Sequence, residues 1–533
     1  MSEAEIEKIV QENKELRKQL ATQQQAYNHL LEIVNNLSRH TYSKKAENGS
    51  TFYDQASLFD EAEYEQCQPE EPKEETVTVK EHSRKKVKKD FEDAEVKKVR
   101  IDHDLEDKKC PKCGTAMVEL KPTIKLCLRR QPAQYILEMH YIHNYTCPKC
   151  STDQEHPTMV SGESQPKLIE GSVVTPSLIS DIIVKKFQQS VPLYRQEKEM
   201  IERKIPISRQ NISDWLLRIA NGYLNPLYQI MDMQLRKEPI LYGDETTVKC
   251  IEEKDRQKSY MWVRCTSPES NKQMILYSYN TNRGTEFAKE LYKGFKGYLH
   301  VDGYYAYHSL PGVTVVGCFA HARRYVYDAL CDDSLYSDFS KLRGQQRKQF
   351  LDQHQGYAGL VYLFDLIEEL FNLEKKYKQD KLSTEEIYQK RNSEGQEILN
   401  KINDFIITNK DRYAYKSKSG KAITYLLENW KYLTNYLKDG RLDISNNRSE
   451  REAIKPFVIG RKNWLFANTR LGASASAILY SLVQSAKLNQ LKPEAYLTYI
   501  LEQMIGIDMS DNEKLETLLP YSKHLPINLK IRH

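Results

Sequence analysis

The sequence lacks the features of a membrane or secreted protein. No apolar run approaches the ~20 residues of a membrane-spanning helix. The first residues, MSEAEIEKIVQENKELRKQL, have no apolar signal-peptide core. Ten cysteines without a secretion signal argue against a disulfide scaffold and favour reduced thiols or a metal site. We therefore expect a cytoplasmic protein with no membrane partner.

A strong net charge is also missing. Lys and Arg number 79 and Asp and Glu 74, so the formal charge of +5 identifies no partner. With 40% hydrophobic residues, the chain can form ordinary cores. Its 533 residues predict two to four domains at about 100–200 residues each.

The N-terminal region, residues 1–40, carries a heptad repeat. Ile6, Leu20 and Val34 occupy a positions, and Asn13 occupies another. A buried Asn at an a position fixes register, so the repeat predicts a parallel homodimeric coiled coil. An amphipathic helix packed on its own protein is the alternative. Residues 41–105 are dense in charge and predict a solvated linker, with nonspecific phosphate contact as the alternative.

Two Cys-Pro-Lys-Cys motifs predict a zinc ribbon over residues 106–156. Paired C-x-x-C knuckles can supply four thiolates to one tetrahedral Zn²⁺. The predicted ligands are Cys110, Cys113, Cys147 and Cys150. A closed site of this kind is structural rather than catalytic. Cys318 and His321 also have a ligand-like spacing, but a lone pair is more typical of a core.

Residues 165–235 have the pattern of a helix-turn-helix. An apolar face predicts a helix over 176–190, and Ser208 is a good N-cap for a second helix after the short IPI break. That helix opens with side chains able to bond to guanine or adenine edges, namely Arg209, Gln210 and Asn211. A helical hairpin that binds nothing is the alternative.

Residues 236–500 read as an α/β or α+β sheet domain. Tyr-, Val- and Ile-rich segments predict strands over 239–250, 259–267, 272–280, 298–307 and 313–321, with a helix over 285–293. A charged helical pattern over about 330–440 predicts an insertion into this domain. Residues 501–533 form a C-terminal segment.

Two aspartates lie in these otherwise apolar strands. Asp244 is on the face of Ile240 and Tyr242, and Asp302 ends the stretch Tyr298–Asp302, the first half of the fourth predicted strand. An ionised carboxylate there is costly unless it is paired or binds a metal. Carboxylate oxygens are the ligands that Mg²⁺ prefers. The alternative roles are helix caps and salt-bridge partners. A third carboxylate is expected near the start of a helix around residue 446, from Glu450 or Glu452.

The segment 441–470 is rich in cations and aromatics. Arg451, Lys455, Arg461 and Lys462 surround the third carboxylate, and Trp464 and Phe466 lie among them. This combination suits a metal site over a phosphodiester backbone, where cations neutralise phosphates and rings contact sugar or base. An ordinary basic helix with core aromatics is the alternative.

These motifs together resemble the insertion-sequence-66 family of bacterial DDE transposases, and the likeness runs nearly from end to end. The matching segments are LYRQEKEMIERKIPISRQNISDW, YGDETTVK, HVDGYYAY, GCFAHARR, SNNRSEREAIKPFVIGRKNWLFA and LETLLPYSKHLP, beside the coiled coil and the cysteine pairs. The resemblance implies a ribonuclease-H-like fold with a DDE triad of Asp244, Asp302 and Glu450. Glu450 rather than Glu452 matches the NNxxER pattern.

The resemblance implies a DNA transposase that binds the terminal inverted repeats of its element. Mg²⁺ or Mn²⁺ at the triad would support cleavage and strand transfer, and Arg451, Lys455, Arg461 and Lys462 would hold the DNA backbone. Double-stranded DNA and small accessory proteins of the same element are the implied partners, which makes the protein nucleoid-associated. A non-catalytic dimeric zinc-ribbon regulator and a nuclease without strand transfer remain alternatives.

Overall fold

The computed structural model describes residues 134–141, 144–146, 159–161, 166–253 and 258–531. The predicted coiled coil, the charged linker and the cysteines Cys110, Cys113, Cys147 and Cys150 lie outside these residues, so they stay predictions. Two short strands, β1 (Asn144–Thr146) and β2 (Met159–Ser161), pair antiparallel. In the described part, no helix combines the length and apolar character needed to cross a membrane.

A mixed sheet forms the centre of the molecule. Its strands are β3 (Ile240–Cys250), β4 (Ser259–Thr266), β5 (Ile275–Asn280), β6 (Gly297–His300) and β7 (Val313–Val316). They lie in the order β5-β4-β3-β6-β7. The β3–β4 and β4–β5 pairs are antiparallel, whereas β3–β6 and β6–β7 are parallel. A two-residue strand, β8 (Phe466–Ala467), extends the sheet beside the end of β3.

Helices precede the sheet strands in the sequence, connect them and follow them. They are α1 (Pro176–Phe187), α2 (Leu193–Glu202), α3 (Arg209–Arg218), α4 (Asn225–Leu235), α5 (Thr285–Leu291), α6 (Phe319–Asp332), α7 (Tyr336–Phe339), α8 (Gly344–Gln353), α9 (Gln355–Gln379), α10 (Thr384–Lys390), α11 (Gln396–Asn409), α12 (Lys418–Leu433), α13 (Asn447–Ser449), α14 (Lys455–Trp464), α15 (Arg470–Leu488), α16 (Pro493–Met504) and α17 (Asn512–Thr517). π-Helical turns at Ile219–Leu224, Arg391–Gly395 and Glu450–Ile454 join consecutive helices. The mixed α/β class expected from the sequence is confirmed.

The helices of the predicted helix-turn-helix are present as α1 to α3. Thr175 caps α1, and Ser208 caps α3 in a reciprocal capping box with Asn211. The apolar stripe of α3 is buried at Ile212, Trp215 and Leu216, as the 3.6-residue spacing predicts.

Two predicted strands end early. The fourth stops at His300 and is followed by a 3₁₀ turn at Tyr305–Ser309. The fifth stops at Val316, and α6 begins at Phe319. The helical insertion explains the second difference, because Gly317 N–H donates to the Tyr432 carbonyl rather than to a neighbouring strand. The elements in the continuously described stretch between β7 and β8 are all helical, which is compatible with the predicted insertion.

The outer edge of β5 is covered by α15. Ser481 Oγ accepts a hydrogen bond from Tyr277 N–H at 2.8 Å, and Ser485 Oγ accepts one from Ile275 N–H at 3.0 Å. Edge-strand amide groups otherwise offer a template for pairing with another chain. The two serines therefore satisfy amide groups of this edge strand and fix α15 against the sheet.

A buried ion pair joins three parts of the helical insertion. Arg391 donates two hydrogen bonds to Glu374 at 2.7 and 2.6 Å, and its third nitrogen donates to the carbonyls of Tyr436 and Asp439. The side chains of Arg391 and Glu374 are 3% and 11% exposed. Removing one partner of such a pair leaves a buried charge uncompensated.

We therefore expect Arg391→Met to lower the free energy of unfolding by about 3–5 kcal/mol, measured by urea denaturation. Lys401→Met is the matched control, because Lys401 and its partner Glu397 are 46% and 72% exposed. The control should change stability by less than about 1 kcal/mol. Equal effects in the two variants would contradict a central role for the buried pair.

Candidate active site

Parallel pairing brings the two predicted aspartates together. Tyr242 of β3 is in register with His300 of β6. Asp244 follows Tyr242 by two residues within β3, and Asp302 follows His300 by two residues just beyond the end of β6, so both aspartates lie at the same end of the pair. A Cβ atom at position 243 would lie only 2.2 Å from Tyr292 Oη, and a Cβ atom at position 303 would lie only 2.7 Å from the Tyr425 ring, so neither Gly243 nor Gly303 has room for a side chain. Glycine beside each aspartate therefore permits close packing around the site.

Glu450 is held over β3 by the residues that precede it. Asn446, which is fully buried, donates from Nδ2 to the Gly243 carbonyl at 2.9 Å. Arg448 donates to the Thr266 carbonyl at 2.7 Å, at the end of β4. Glu450 then begins the π-helical turn and is 8% exposed. The structure thus places the third predicted carboxylate above the strand that carries Asp244.

Negative charge is concentrated at this point. Burial, followed by repulsion from Glu245, Asp302 and Glu450, raises the pKa of Asp244 well above its usual range. The Glu245 backbone N–H donates to Asp244 Oδ1 at 2.7 Å and opposes this rise. The carboxylates are therefore close enough to interact, and their arrangement costs stability.

Glu245 adds a further carboxylate, which a reading by strand alternation misses. Its side chain is 1% exposed and accepts hydrogen bonds from Tyr307 Oη and Arg283. Arg283 also lies 3.7 Å from an Asp302 oxygen, and its guanidinium is 3.7 Å from the centre of the Tyr304 ring. Burial and the charge of Asp302 still raise the pKa of Glu245. Arg283 is thus a cation shared between two carboxylates.

His321 and Arg324 face Glu450 from the first turns of α6. His321 Nε2 lies 3.5 Å from Glu450 Oε1, and Arg324 lies 4.0 Å from Oε2. Burial lowers the pKa of His321. Cys318, which the sequence pairs with His321 as a possible metal ligand, is buried, and its Sγ accepts a hydrogen bond from the Asn446 N–H. The structure therefore separates this pair into a core thiol and an imidazole at the site.

The carboxylates fit a divalent cation by chemistry, although protein cations compensate them in this arrangement. Among the residues that the structure describes, no three His, Cys, Asp or Glu side chains are arranged to hold a metal ion directly. Glu450 Oε2 is nonetheless buried without a hydrogen-bond partner. With Asp244 and Asp302 it forms an oxygen-only donor set of the type that Mg²⁺ or Mn²⁺ prefers.

The predicted DNA-contacting residues of the 441–470 segment have different environments. Arg451 and Lys462 are exposed and Lys455 is partly buried. Arg461 instead donates to the Thr247 carbonyl and to Thr246 Oγ1, which ties α14 to β3. Trp464 packs edge-on against Phe457 and donates to Tyr480 Oη, as a core aromatic does, whereas Phe466 is 41% exposed.

In α3, Arg209 and Gln210 are exposed, as a recognition role requires. The Asn211 side chain is engaged within the protein, because its Oδ1 accepts from Ser208 N–H and Oγ–H at 3.1 and 2.7 Å. If this oxygen contacted a DNA base, its capping-box hydrogen bonds with Ser208 would be broken. The sequence signal for a cap and the signal for base recognition coincide at this residue.

A second aspartate, the half-buried Asp443, provides a contrast with Asp244. Tyr242 Oη donates to it at 2.6 Å and Lys378 Nζ at 3.1 Å. Burial alone would raise the pKa of Asp443, but the charge of Lys378 and the Tyr242 hydrogen bond hold it below the usual value. The surroundings of Asp244 thus disfavour its ionised form, whereas the surroundings of Asp443 stabilise the ionised form.

We expect Asp244→Asn to raise the free energy of unfolding by about 0.5–2 kcal/mol at neutral pH in EDTA, because it removes a repelled charge. The gain should shrink as the pH falls, since the folded protein protonates Asp244 before the unfolded chain does. Asp443→Asn should instead cost about 1–3 kcal/mol, as charge-assisted hydrogen bonds are lost. Urea denaturation measures both. Destabilisation by Asp244→Asn would contradict the repulsion.

Comparison with known proteins supplies the family. The family model described as "Transposase IS66 family" matches residues 171–475, and "IS66 C-terminal element" matches residues 481–521. Two relatives from Sinorhizobium fredii are described as uncharacterized proteins. The chain is 26% identical to y4jD over 78% of each chain. It is 24% identical to y4hP over 77% of this chain and 73% of that one. The first match contains the whole β3–β7 sheet and Glu450, and the protein belongs to the IS66 family of transposases.

Proposed function

We propose that this protein is a DDE-type DNA strand transferase that cleaves the ends of its insertion sequence and joins them to target DNA. The observation that carries the proposal is the meeting of Asp244 of β3 with Asp302, two residues after the parallel strand β6, with the Glu450 charge acting on Asp244. Family membership supports the same conclusion. DNA is the partner that a transposase family implies.

The sheet supports a ribonuclease-H-like fold for this domain. Three antiparallel strands are followed by two parallel ones, and the first strand, β3, lies at the centre. That order suits the proposed site, because a central strand is fixed by neighbours on both sides. The helical insertion lies between β7 and Glu450, where the family resemblance implies it.

Asp244, Asp302 and Glu450 would hold divalent cations, which when bound activate the attacking oxygen and stabilise the leaving oxygen. In the first step water attacks the phosphorus at the end of the element and the P–O3′ bond breaks, which leaves a free 3′-OH on the element and a 5′-phosphate on the flanking strand. In the second step that 3′-OH attacks a phosphorus of the target DNA, the new P–O bond joins the element to the target, and the target's 3′-oxygen leaves as a 3′-OH. Arg283 and Arg324 border the carboxylates and limit their mutual repulsion, and the His321 imidazole lies beside Glu450.

Exposed cations extend the site toward the DNA backbone. Arg451 and Lys462 lie on the helical segment that follows Glu450, and Lys455 lies between them. Such residues neutralise phosphates and make binding dependent on salt. Arg461 serves a supporting role, since its guanidinium bonds to β3.

The N-terminal regions would recognise and pair the DNA ends. The zinc ribbon and the helix-turn-helix, through Arg209, Gln210 and the exposed part of Asn211, would bind the terminal inverted repeats. The coiled coil over residues 1–40 would join two protomers, so that both ends are processed together. Accessory proteins of the same element are further proposed partners.

The direct test is cleavage and joining of a labelled duplex carrying the element's end, in Mg²⁺. Glu450→Gln should reduce both activities by a factor on the order of 100 or more, because a charge at the reacting centre is lost. Glu452→Gln is the matched control and should retain activity, since Glu452 is a neighbouring carboxylate outside the proposed triad.

If the protein cut the DNA end without joining it to target DNA, the activity would be that of a nuclease rather than a strand transferase. Binding of the end with no cutting by the wild-type protein would favour the non-catalytic regulator. Equal losses in the Glu450 and Glu452 variants would contradict the assignment of Glu450.

Zinc provides a separate test of the N-terminal region. The purified protein should contain one zinc ion per chain, measured by elemental analysis. Cys147→Ser with Cys150→Ser should remove the zinc and weaken binding to the element's end. Cys331→Ser, at an exposed cysteine of α6, should change neither quantity. Undiminished zinc in the double variant would contradict the ligand assignment.

A further inference from the structure

The turn after α14 holds a leucine in an unfavourable position. Leu465 has φ +67° and ψ −47°, close to the strained γ-turn conformation, and its side chain is 61% exposed. The other described non-glycine residues with positive φ are polar: Ser190, Lys204, Lys381 and Gln490. Leu465 is thus unfavourable in two respects: its apolar side chain is exposed to solvent, and its backbone conformation is one that a leucine rarely adopts.

Leu465 borders a cavity of about 300 Å³ at the end of β3. Among the described residues, its lining combines Thr247 and the apolar Val248 and Leu465 with four cations, namely Lys249 of β3, Lys258 just before β4, and Arg461 and Lys462 of α14. The volume lies at the small end of the ~300–1,000 Å³ range of ligand pockets. An apolar pocket with a cationic rim suits a flat, uncharged ring flanked by phosphates.

The cavity and the proposed active site share one strand. Thr247 and Lys249 of the cavity follow Asp244 on β3 by three and five residues. At about 3.3 Å per residue this separation is about 10–17 Å. Consecutive phosphates of one DNA strand are about 3.4 Å apart along the helix axis, so about three to five nucleotides cover the same distance. A strand cleaved at Asp244 can therefore reach the cavity.

We propose that this cavity receives one unpaired nucleobase of the DNA end, with Leu465 as its apolar contact and the surrounding lysines on the flanking phosphates. The inference rests on the proposed function. The cavity is too small for a duplex but adequate for a single base, and apolar side chains at unstacked base steps are a recurrent device of DNA-bending and base-extruding proteins. The strained Leu465 backbone keeps the apolar side chain available for that contact.

The test uses the full-length protein and duplex ends that carry a single 2-aminopurine, moved through the positions within about six nucleotides of the cleavage site. This base brightens when it leaves the stack. In EDTA, the wild-type protein should brighten one position severalfold. A mismatch there should tighten binding about tenfold, because unpairing a mismatched base costs least.

Leu465→Ala and Leu465→Gly should lose the brightening, and the glycine variant should be at least as stable as wild type because glycine tolerates positive φ. Leu471→Ala is the matched control, at a leucine 55% exposed outside the cavity lining, and should brighten normally. Binding and cleavage without a bright position, or brightening kept by both Leu465 variants, would overturn the inference and leave the proposed function standing. Failure to bind or cut any end would reject both.

Discussion

The repulsion among carboxylates around Asp244 is the constraint on which the rest of this structure depends. Asp244 lies beside Glu245, Asp302 and Glu450, and their charges together with burial disfavour its ionised form. An isolated domain gains nothing from such an arrangement, since buried like charges lower stability. The cationic partners lie around Asp244: Arg283 contacts Glu245 and Asp302, and Arg324 lies beside Glu450 together with the His321 imidazole. These groups offset part of the repulsion, while Glu450 Oε2 is left without a hydrogen bond.

Holding repelling groups together requires rigid supports, and these come from distant parts of the chain. Asn446 fixes the Glu450 segment to the backbone of β3. Beneath the site, Tyr242 and His300 stack at 4.4 Å, and Tyr242 donates to Asp443, which also accepts from Lys378 of α9. The helical insertion therefore does more than interrupt the domain, because it contributes charge and packing behind the strands that carry the aspartates.

Much of this arrangement is predictable from local sequence, and the remainder is not for identifiable reasons. Asp244 and Asp302 stand out because an acid in an apolar strand is exceptional. The local sequence leaves Glu450 and Glu452 as alternatives for the third carboxylate, and the family resemblance selects Glu450, because two glutamates in one basic helix have the same local signature. Glu245 and Arg283 were missed since their partners are defined only by the folded sheet. The turn at Tyr305–Ser309 was predicted as strand because tyrosine-rich segments favour that state, whereas the Tyr304 N–H bonds to Asp302 and begins a turn.

The central position of β3 connects the chemistry to DNA geometry. β3 pairs with β4 from Leu241 to Val248 and with β6 from Ile240 to Tyr242, and β8 adds a parallel partner at Lys249 and Cys250. Arg461 ties the helix after Glu450 to Thr246 and Thr247 of the same strand. A strand restrained on both sides cannot easily shift one end relative to the other. The spacing between the carboxylates and the cationic cavity is consequently a property of the sheet, and a DNA strand that contacts both is positioned by a fixed distance rather than by a flexible loop.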